Sequence, residues 1–276
     1  MNTQYRAFLD EISRFVDKKR IYTNDLRLLA WGTDAGFYRL TPQIVIRSAG
    51  EAEVSQLLAA ASRHRLPVTF RAAGTSLSGQ SITDSILIVA GKNWEKYSIS
   101  PDGETARFQP GLTGLRANTL LAPYGKIFGP DPASKNSAMI GGIVMNNASG
   151  MSCGVHANSD RVLKSVRIVF ADGTVLDTAD EKSCHDFEQT HRALIDEIVA
   201  IRDAVRADNE LSDLIKYKYS IKNVTGLNIR PFVAFDSPFD IIAHLMVGSE
   251  GTLAFLSEVT VNTSHLYPYG ASAMVY

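Results

Sequence analysis

The sequence has few features of a secreted, membrane-spanning or nucleic-acid-binding protein. It contains only two cysteines, which excludes a disulfide framework and favours a reducing compartment. Its apolar runs are too short to cross a bilayer, and its N-terminus lacks a signal-peptide pattern. The formal net charge of −1 gives no basic surplus for nucleic acid. We therefore expect a cytoplasmic protein, with peripheral contact at the inner face of the membrane left open.

Common nucleotide-binding and hydrolase motifs are also missing. No Gly-x-Gly-x-x-Gly occurs, so the Rossmann fingerprint is absent, and no Gly-x-Ser-x-Gly occurs either. Gly74 and Gly79 have the glycine spacing of a P-loop, but Gln80 stands where that motif requires lysine. A Gly/Ser turn between strands is the simplest alternative for this tract taken alone.

Cysteine and histidine give little indication of a metal site. Cys153-x-x-His156 and Cys184-His185 fit no zinc template closely. His244 lies among apolar residues, which is more typical of a hydrogen-bonded core histidine than of a catalytic base. The Lys216 to Tyr219 cluster in a chain without basic surplus predicts a solvated face.

Residues 42–90 predict a β-α-β unit. Gln43 to Arg47 is a strand, and the helix after it is expected to start with a capping box formed by Ser48 and Glu51. Pro67 then begins a second strand that leads into a tract of small residues, Arg71 to Ser81, before a third apolar strand. Such a tract leaves backbone N–H groups approachable, so it predicts an anion-binding loop.

The rest of the chain predicts alternating strands and helices. Residues 97–109 form a hairpin, and a short helix follows with Leu115, Leu120 and Leu121 facing inward. Residues 162–176 form a second hairpin turned at Asp172-Gly173, and Phe187 to Val205 is one amphipathic helix. Residues 256–263 form a strand, and Gly270 to Tyr276 resemble the opening of another.

Three separated tracts together resemble a known family. They are Pro67-x-x-x-Arg-x-x-Gly-Thr-Ser, then Ile140-Gly-Gly with Asn146-Asn-Ala-Ser-Gly, then Gly248-Ser-Glu-Gly-Thr-Leu. In this order they are similar to the FAD-binding domain of the vanillyl-alcohol-oxidase (PCMH-type) flavoproteins. Within that superfamily the chain most resembles the D-lactate and D-2-hydroxy-acid dehydrogenases fused to an iron–sulfur region.

The resemblance implies the residues that contact FAD. The first tract would surround the diphosphate through Arg71, Ala72, Ala73, Gly74, Thr75, Ser76, Gly79 and Gln80. The second would border the flavin and the phosphates through Asp131, Ser134, Ala138, Ile140, Gly141, Gly142, Asn146, Ala148 and Ser149. The third would lie near adenine and ribose through Glu250, Gly251, Thr252, Leu253 and Phe255. Thr75 stands where covalent members carry a flavin-linking histidine, which predicts non-covalent FAD.

The resemblance also implies the fold and the domain limits. The expected class is α+β, with a small β-α-β subdomain packed on a larger mixed or antiparallel-sheet subdomain with flanking helices. The limits are a lead-in at 1–40, an FAD-binding domain at 41–265 divided near residue 92, and the start of a cap region at 266–276. We therefore expect the chain to be a fragment of a longer polypeptide.

The implied activity is oxidation of a D-2-hydroxy acid, with D-lactate favoured. Hydride would pass to flavin N5, and electrons would continue to an iron–sulfur centre, cytochrome or quinone in a missing region or partner. No catalytic base is assigned. The alternatives are a sugar or alditol oxidase, a UDP-N-acetylmuramate reductase-like enzyme, and a non-catalytic P-loop-like nucleotide-binding module.

Overall fold

The computed structural model describes residues 3–224, 226–269, 271 and 273–275. Its helices are α1 (Thr3–Ile12), α2 (Asp25–Ala30), α3 (Glu51–Arg63), α4 (Gly114–Leu121), α5 (Ile140–Asn146), α6 (Ser159–Val162), α7 (Glu181–Thr190), α8 (Arg192–Ala207), α9 (Asn209–Lys218), α10 (Pro231–Ala234) and α11 (Pro238–Leu245). Its strands are β1 (Ile21–Tyr22), β2 (Ile44–Arg47), β3 (Val68–Arg71), β4 (Ile86–Val89), β5 (Tyr97–Ile99), β6 (Thr105–Phe108), β7 (Lys126–Ile127), β8 (Leu163–Val169), β9 (Val175–Asp177), β10 (Phe255–Asn262) and β11 (Ser264–His265).

The N-terminal part of the chain forms a four-stranded sheet in the order β1-β2-β4-β3. β4 runs parallel to both β2 and β3, so Ile86 lies beside Ile44 on one side and Val68 on the other. α3 connects β2 to β3 and buries Val54 and Leu57. The predicted β-α-β unit is therefore confirmed, and the tract of small residues follows the carboxyl end of β3.

The predicted capping box at the start of α3 is wrong. Gly50 is the N-cap and makes no side-chain capping bond. Ser48 is buried, its Oγ donates to the Val89 carbonyl at 3.0 Å, and it accepts a bond from Trp94 Nε1 at 2.9 Å. Because those partners lie more than 40 residues away, the local Ser-x-x-Glu pattern could not reveal them.

A five-stranded antiparallel sheet in the order β5-β6-β10-β8-β9 forms the larger part of the molecule. Both predicted hairpins, β5–β6 and β8–β9, belong to it. β7 and β11 form a separate two-stranded sheet. The strand predicted over 256–263 is confirmed as β10, while Gly270, Ser272 and Tyr276 of the predicted terminal strand lie outside the described residues, as do Met1 and Asn2 of the lead-in.

Two predictions about helices need correction. The long amphipathic helix is interrupted at His191, which separates α7 from α8. The His191 ring stacks on Phe187 with centroids 4.2 Å apart, and its Nε2 lies 2.9 Å from Asp172 Oδ2, so tertiary contacts fix the break. In α4, Leu115 is 47% exposed, and Ala117 takes the inward position instead.

The two larger sheets are joined by an apolar cluster and an ion pair. Phe255 at the start of β10 packs on Phe70 and Trp94, each with a centroid separation of 5.0 Å. Arg167 on β8 donates to both carboxylate oxygens of Glu51 on α3, at 2.7 and 2.8 Å. None of the described helices has both the length and the apolar character needed to cross a bilayer.

Candidate functional site

The three tracts of small residues meet at one cleft of about 380 Å³. The first tract enters from the end of β3, the second from α5, and the third from the turn before β10. The predicted site residues that line the cleft are Arg71, Ala72, Ala73, Gly74, Thr75, Ser76, Gln80, Ser134, Ala138, Gly141, Gly142, Asn146, Ala148, Glu250, Gly251 and Phe255. The first and second tracts are about 60 residues apart in sequence and the second and third about 100, yet all three line the same cleft.

The first tract presents a row of unpaired backbone donors. Within the described part of the chain, no backbone N–H group from Ala72 to Leu77 donates a hydrogen bond to another protein group. Unpaired amides of this kind are costly unless water or a ligand accepts from them. A row of them beside a cleft suits an anion with several oxygens.

Arg71 provides a cation beneath this row. Its Nη1 donates to the Thr33 carbonyl at 2.6 Å, whereas its Nε is buried and has no hydrogen-bond partner among the described residues. Burial lowers the pKa of Arg71, and the nearby charge of Asp34 opposes that shift. No carboxylate of the described residues lies within ion-pair distance of Arg71, so an anionic ligand would complete its environment.

Gly74 is required for this arrangement. Its φ of +72° is left-handed, and a Cβ would lie 2.6 Å from Arg71 Nε. A larger residue there would be strained and would displace the guanidinium.

The second and third tracts are joined by a direct hydrogen bond. Asn146 Nδ2 donates to Glu250 Oε1 at 2.5 Å, and the Glu250 backbone N–H donates to the Met145 carbonyl at 2.9 Å. Burial raises the pKa of Glu250, although hydrogen bonds from Asn146 and Gln80 favour the ionised form. Gln80 belongs to the first tract, so this carboxyl group links all three.

Six predicted residues lie outside the cleft lining. Gly79 turns its amide toward Asp34, and Ile140 is fully buried with its N–H bonded to Leu112. The Asp131 side chain pairs with Lys135, and its N–H donates to the Ser149 carbonyl, so these residues brace the tract. Thr252 and Leu253 line a second cavity of about 220 Å³ that shares Phe70, Gly251, Ala254 and Phe255 with the cleft.

An apolar wall completes the cleft, and sequence reasoning missed most of it. It comprises Phe70, Leu77, Ala90, Pro110, Pro132, Met139, Ile143, Met145, Ala254 and Leu256. Several of these residues lie one to three positions from a predicted tract, and this closeness in sequence could have identified them as part of the site. Pro110 gave none, because only the fold brings the end of the β5–β6 hairpin to α5.

The residues present fit a diphosphate-linked ligand with flat apolar ends. The cleft combines unpaired amides, a buried guanidinium and an apolar wall, and the adjoining cavity extends it. No histidine, lysine or cysteine is part of the lining among the described residues.

The cysteines and core histidine lie apart from this site. No group of three or more His, Cys, Asp or Glu residues suited to a metal occurs in the described ranges. Burial raises the pKa of Cys184 to about 11, which disfavours the thiolate. His244 is buried, and its ring lies 2.9 Å from the Asp240 carbonyl, which confirms the prediction of a satisfied core histidine.

Sequence comparison identifies relatives. The family described as FAD binding domain matches residues 42–179. D-2-hydroxyglutarate dehydrogenase of Pantoea ananatis is 27% identical over 244 residues, which cover 86% of this chain and 24% of the relative. A glycolate oxidase subunit of Escherichia coli is 34% identical over 141 residues, covering 50% of this chain and 28% of the relative. The chain thus spans about a quarter of the length of these relatives.

A third relative and two solved structures extend the comparison. D-lactate dehydrogenase of Archaeoglobus fulgidus is 22% identical over 219 residues, or 79% of this chain and 38% of the relative. An alkyldihydroxyacetonephosphate synthase superimposes with a TM-score of 0.64 at 16% identity, covering 97% of this chain and 42% of that one. A glucooligosaccharide oxidase from Acremonium strictum gives 0.59 at 14% identity, with coverages of 96% and 43%. These likenesses confirm the predicted fold class.

Proposed function

The chain belongs to the FAD-binding domain family, and from this membership we propose that its cleft holds FAD non-covalently in a dehydrogenase of D-2-hydroxy acids. The observation that carries the proposal is the convergence of three sequence tracts on one cleft with unpaired amides and a buried cation. Residues 41–265 would form the binding domain, divided near residue 92, with 1–40 as a lead-in.

We assign the diphosphate to the first tract. The backbone N–H groups of Ala72 to Leu77 would donate hydrogen bonds to its oxygens, and the positive charge of Arg71 would offset its negative charge. The apolar wall near Ile143 and Met145 would receive the flavin ring. The adjoining cavity at Thr252 and Leu253 would receive the adenine end.

Non-covalent attachment is supported by the chemistry of the lining. Thr75 lines the cleft, and a threonine hydroxyl is a weak nucleophile unless a neighbouring base activates it. No cysteine, histidine or tyrosine of the described residues shares that wall.

Bound FAD would supply a two-electron acceptor for the hydride of a hydroxyl-bearing carbon. The protein residues named here bind and orient that group and exclude water from its apolar face. We assign no catalytic base, because the described lining contains only Arg71 and Glu250 as ionisable side chains.

The substrate class follows from the relatives. D-2-hydroxyglutarate, glycolate and D-lactate, which their names contain, are all 2-hydroxy acids. Within this class we propose D-lactate as the specific substrate, and the assay should compare it directly with D-2-hydroxyglutarate. The proposed electron acceptor is an iron–sulfur centre, a cytochrome or a quinone outside this chain.

The binding proposal is tested by adding FAD to the purified chain and following flavin fluorescence and absorption. Saturable binding at one site, with all FAD released on acid precipitation, supports it. FAD that stays attached to the precipitated protein contradicts non-covalent binding. Failure of FAD to bind while ATP and magnesium bind favours the nucleotide-module alternative.

The activity proposal is tested on the full-length protein with an artificial electron acceptor. D-2-hydroxy acids should reduce the flavin, and the L enantiomers should not. Rapid reoxidation by oxygen after reduction by sugars would favour a sugar oxidase, and reduction by NADPH would favour the UDP-N-acetylmuramate reductase-like alternative.

A further inference from the structure

Residues 31–40, which we call the strap, contact the first tract without lining the cleft. The Ala35 N–H donates to the Ser76 carbonyl at 3.1 Å. The two ends of the strap are held together by a hydrogen bond from the Leu40 N–H to the Gly32 carbonyl at 3.1 Å. The first tract therefore lies between the strap and the cleft.

Asp34 is the side chain that joins the strap to the tract. Its Oδ1 accepts the Gly36 N–H at 2.7 Å, and its Oδ2 accepts the Gly79 N–H at 3.1 Å. Both carboxylate oxygens are thus occupied by backbone donors, one on each segment. The Gly79 amide is used to hold the loop and is not directed to a ligand.

The strap also fixes the cation of the site. The Thr33 carbonyl accepts from Arg71 Nη1 at 2.6 Å, and the Arg71 guanidinium lies 5.3 Å from the centre of the Trp31 ring. The charge of Asp34 favours the protonated form of Arg71 against the effect of burial. The same short segment therefore positions both the amides and the guanidinium.

We propose that Asp34 is a positioning residue for diphosphate recognition, which holds the first tract and Arg71 in their binding arrangement before the ligand arrives. A loop of small residues loses much conformational entropy when it is ordered. If the strap orders it in the free protein, less of that cost falls on ligand binding. This inference rests on the proposed function.

Two variants disturb the contact by different routes, and each has a matched control. Asp34→Ala removes both hydrogen bonds, and Asp102→Ala removes a comparable turn carboxylate that accepts from the Glu104 N–H at 3.0 Å, away from the cleft. Gly36→Ala places a Cβ 2.9 Å from the Leu77 carbonyl carbon, whereas Gly50→Ala meets nothing within 4 Å.

The experiment measures the dissociation constants of FAD and of ADP for the full chain, together with melting temperatures. ADP carries the diphosphate without the flavin. Asp34→Ala and Gly36→Ala should each weaken both ligands by roughly tenfold, as expected for loss of a charge-assisted hydrogen bond or its geometry. The two controls should change neither by more than about twofold. In isotope-labelled protein, the Gly79 amide proton should move upfield in Asp34→Ala and stay in place in Asp102→Ala.

Each outcome decides the question. Weaker FAD and ADP binding with a melting temperature within about 3 °C of the control supports a positioning role. Unchanged affinities in Asp34→Ala overturn it. Weak binding that accompanies a larger fall in melting temperature overturns it too, because Asp34 would then support the fold in general. If the unaltered chain binds neither ligand, the proposed function itself fails.

Discussion

Asn146 donates a hydrogen bond of 2.5 Å to the Glu250 carboxyl group across 104 residues of sequence. Asn146 ends the helix α5, and Glu250 lies in the turn before β10 with a left-handed φ of +56°. Because Gln80 also bonds to this carboxyl, one half-buried group ties the three tracts of the cleft together. The first two predictions test that link.

Replacing Asn146 by Asp should destabilise the protein at neutral pH. The donor becomes a carboxylate beside Glu250, so a hydrogen bond is replaced by like-charge repulsion. We expect a loss of roughly 1–3 kcal/mol in the free energy of unfolding at pH 7, measured by urea denaturation. This loss of stability should shrink near pH 4, where the carboxyl groups at positions 146 and 250 are partly protonated and repel each other less. An equal deficit at both pH values would contradict the charge explanation.

Replacing Glu250 by Gln should stabilise the free protein as pH rises. Burial raises the folded-state pKa of Glu250, so its protonated form contributes stability that is present below the ordinary value of about 4.3 and is lost as pH rises through the folded pKa. Melting temperatures of variant and unaltered protein should nearly coincide at pH 4 and diverge in favour of the variant by pH 8.

Glu95 serves as the control for this pH profile, because its side chain is exposed and has no hydrogen bond among the described residues. The profile of Glu95→Gln should follow that of the unaltered protein. A Glu250→Gln profile that also follows it would show that burial of Glu250 has no energetic consequence.

Two glycines of the cleft should respond differently to alanine. Gly74→Ala should cost at least about 1 kcal/mol, because its φ is left-handed and its Cβ would collide with Arg71. Gly142→Ala should be neutral or stabilising by up to about 1 kcal/mol in the free protein, since it lies in α5 and its Cβ meets nothing within 4 Å. Thermal denaturation of both proteins without ligand measures this contrast.

Both alanine variants should weaken FAD binding, for separate reasons. Gly74→Ala moves the guanidinium, while Gly142→Ala adds a methyl group to the cleft wall. Fluorescence titration with FAD tests this. Unaltered affinity in Gly142→Ala would indicate that the cofactor does not approach this part of α5.

The ion pair between Glu51 and Arg167, which joins the two larger sheets, should stabilise the fold less as the pH becomes acidic. Burial alone would raise the pKa of Glu51, but hydrogen bonds from Arg167 and Ser257 outweigh it and hold the pKa below its ordinary value. This stability is present above about pH 4.3 and is lost as pH falls through the folded pKa. Glu51→Gln should therefore cost roughly 1–2 kcal/mol at pH 7, and this cost should fall progressively as the pH is lowered below about 4.3, measured by denaturant unfolding.

The exposed pair of Lys182 and Asp186 provides the comparison for Glu51. Asp186→Asn removes a solvated ion pair within one helix and should leave the free energy of unfolding at pH 7 almost unchanged. If Glu51→Gln and Asp186→Asn lower the free energy of unfolding equally, the ion pair between Glu51 and Arg167 stabilises the fold no more than an exposed pair does.

Much of the architecture was predictable because its signals are local. Short apolar runs bounded by turn residues predicted β2, β3, β4 and both hairpins, since a strand-forming run and a left-handed turn both depend on immediate neighbours. The three tracts were recognisable for the same reason: each is a run of small residues whose spacing is visible without the fold. Their resemblance to FAD-binding proteins then predicted that they would meet.

The sequence by itself determined the strands of the β-α-β unit, the two hairpins, β10 and the tracts of small residues that surround the cleft. Only the tertiary structure decided that Gly79 turns to Asp34, that Ile140 faces the core, that Pro110 joins the wall, and that His191, where the helix breaks, contacts Asp172. The physical reason is that a residue's conformational preference is encoded within a few positions, whereas its hydrogen-bond and packing partners lie tens of residues away and exist only once the sheets are assembled.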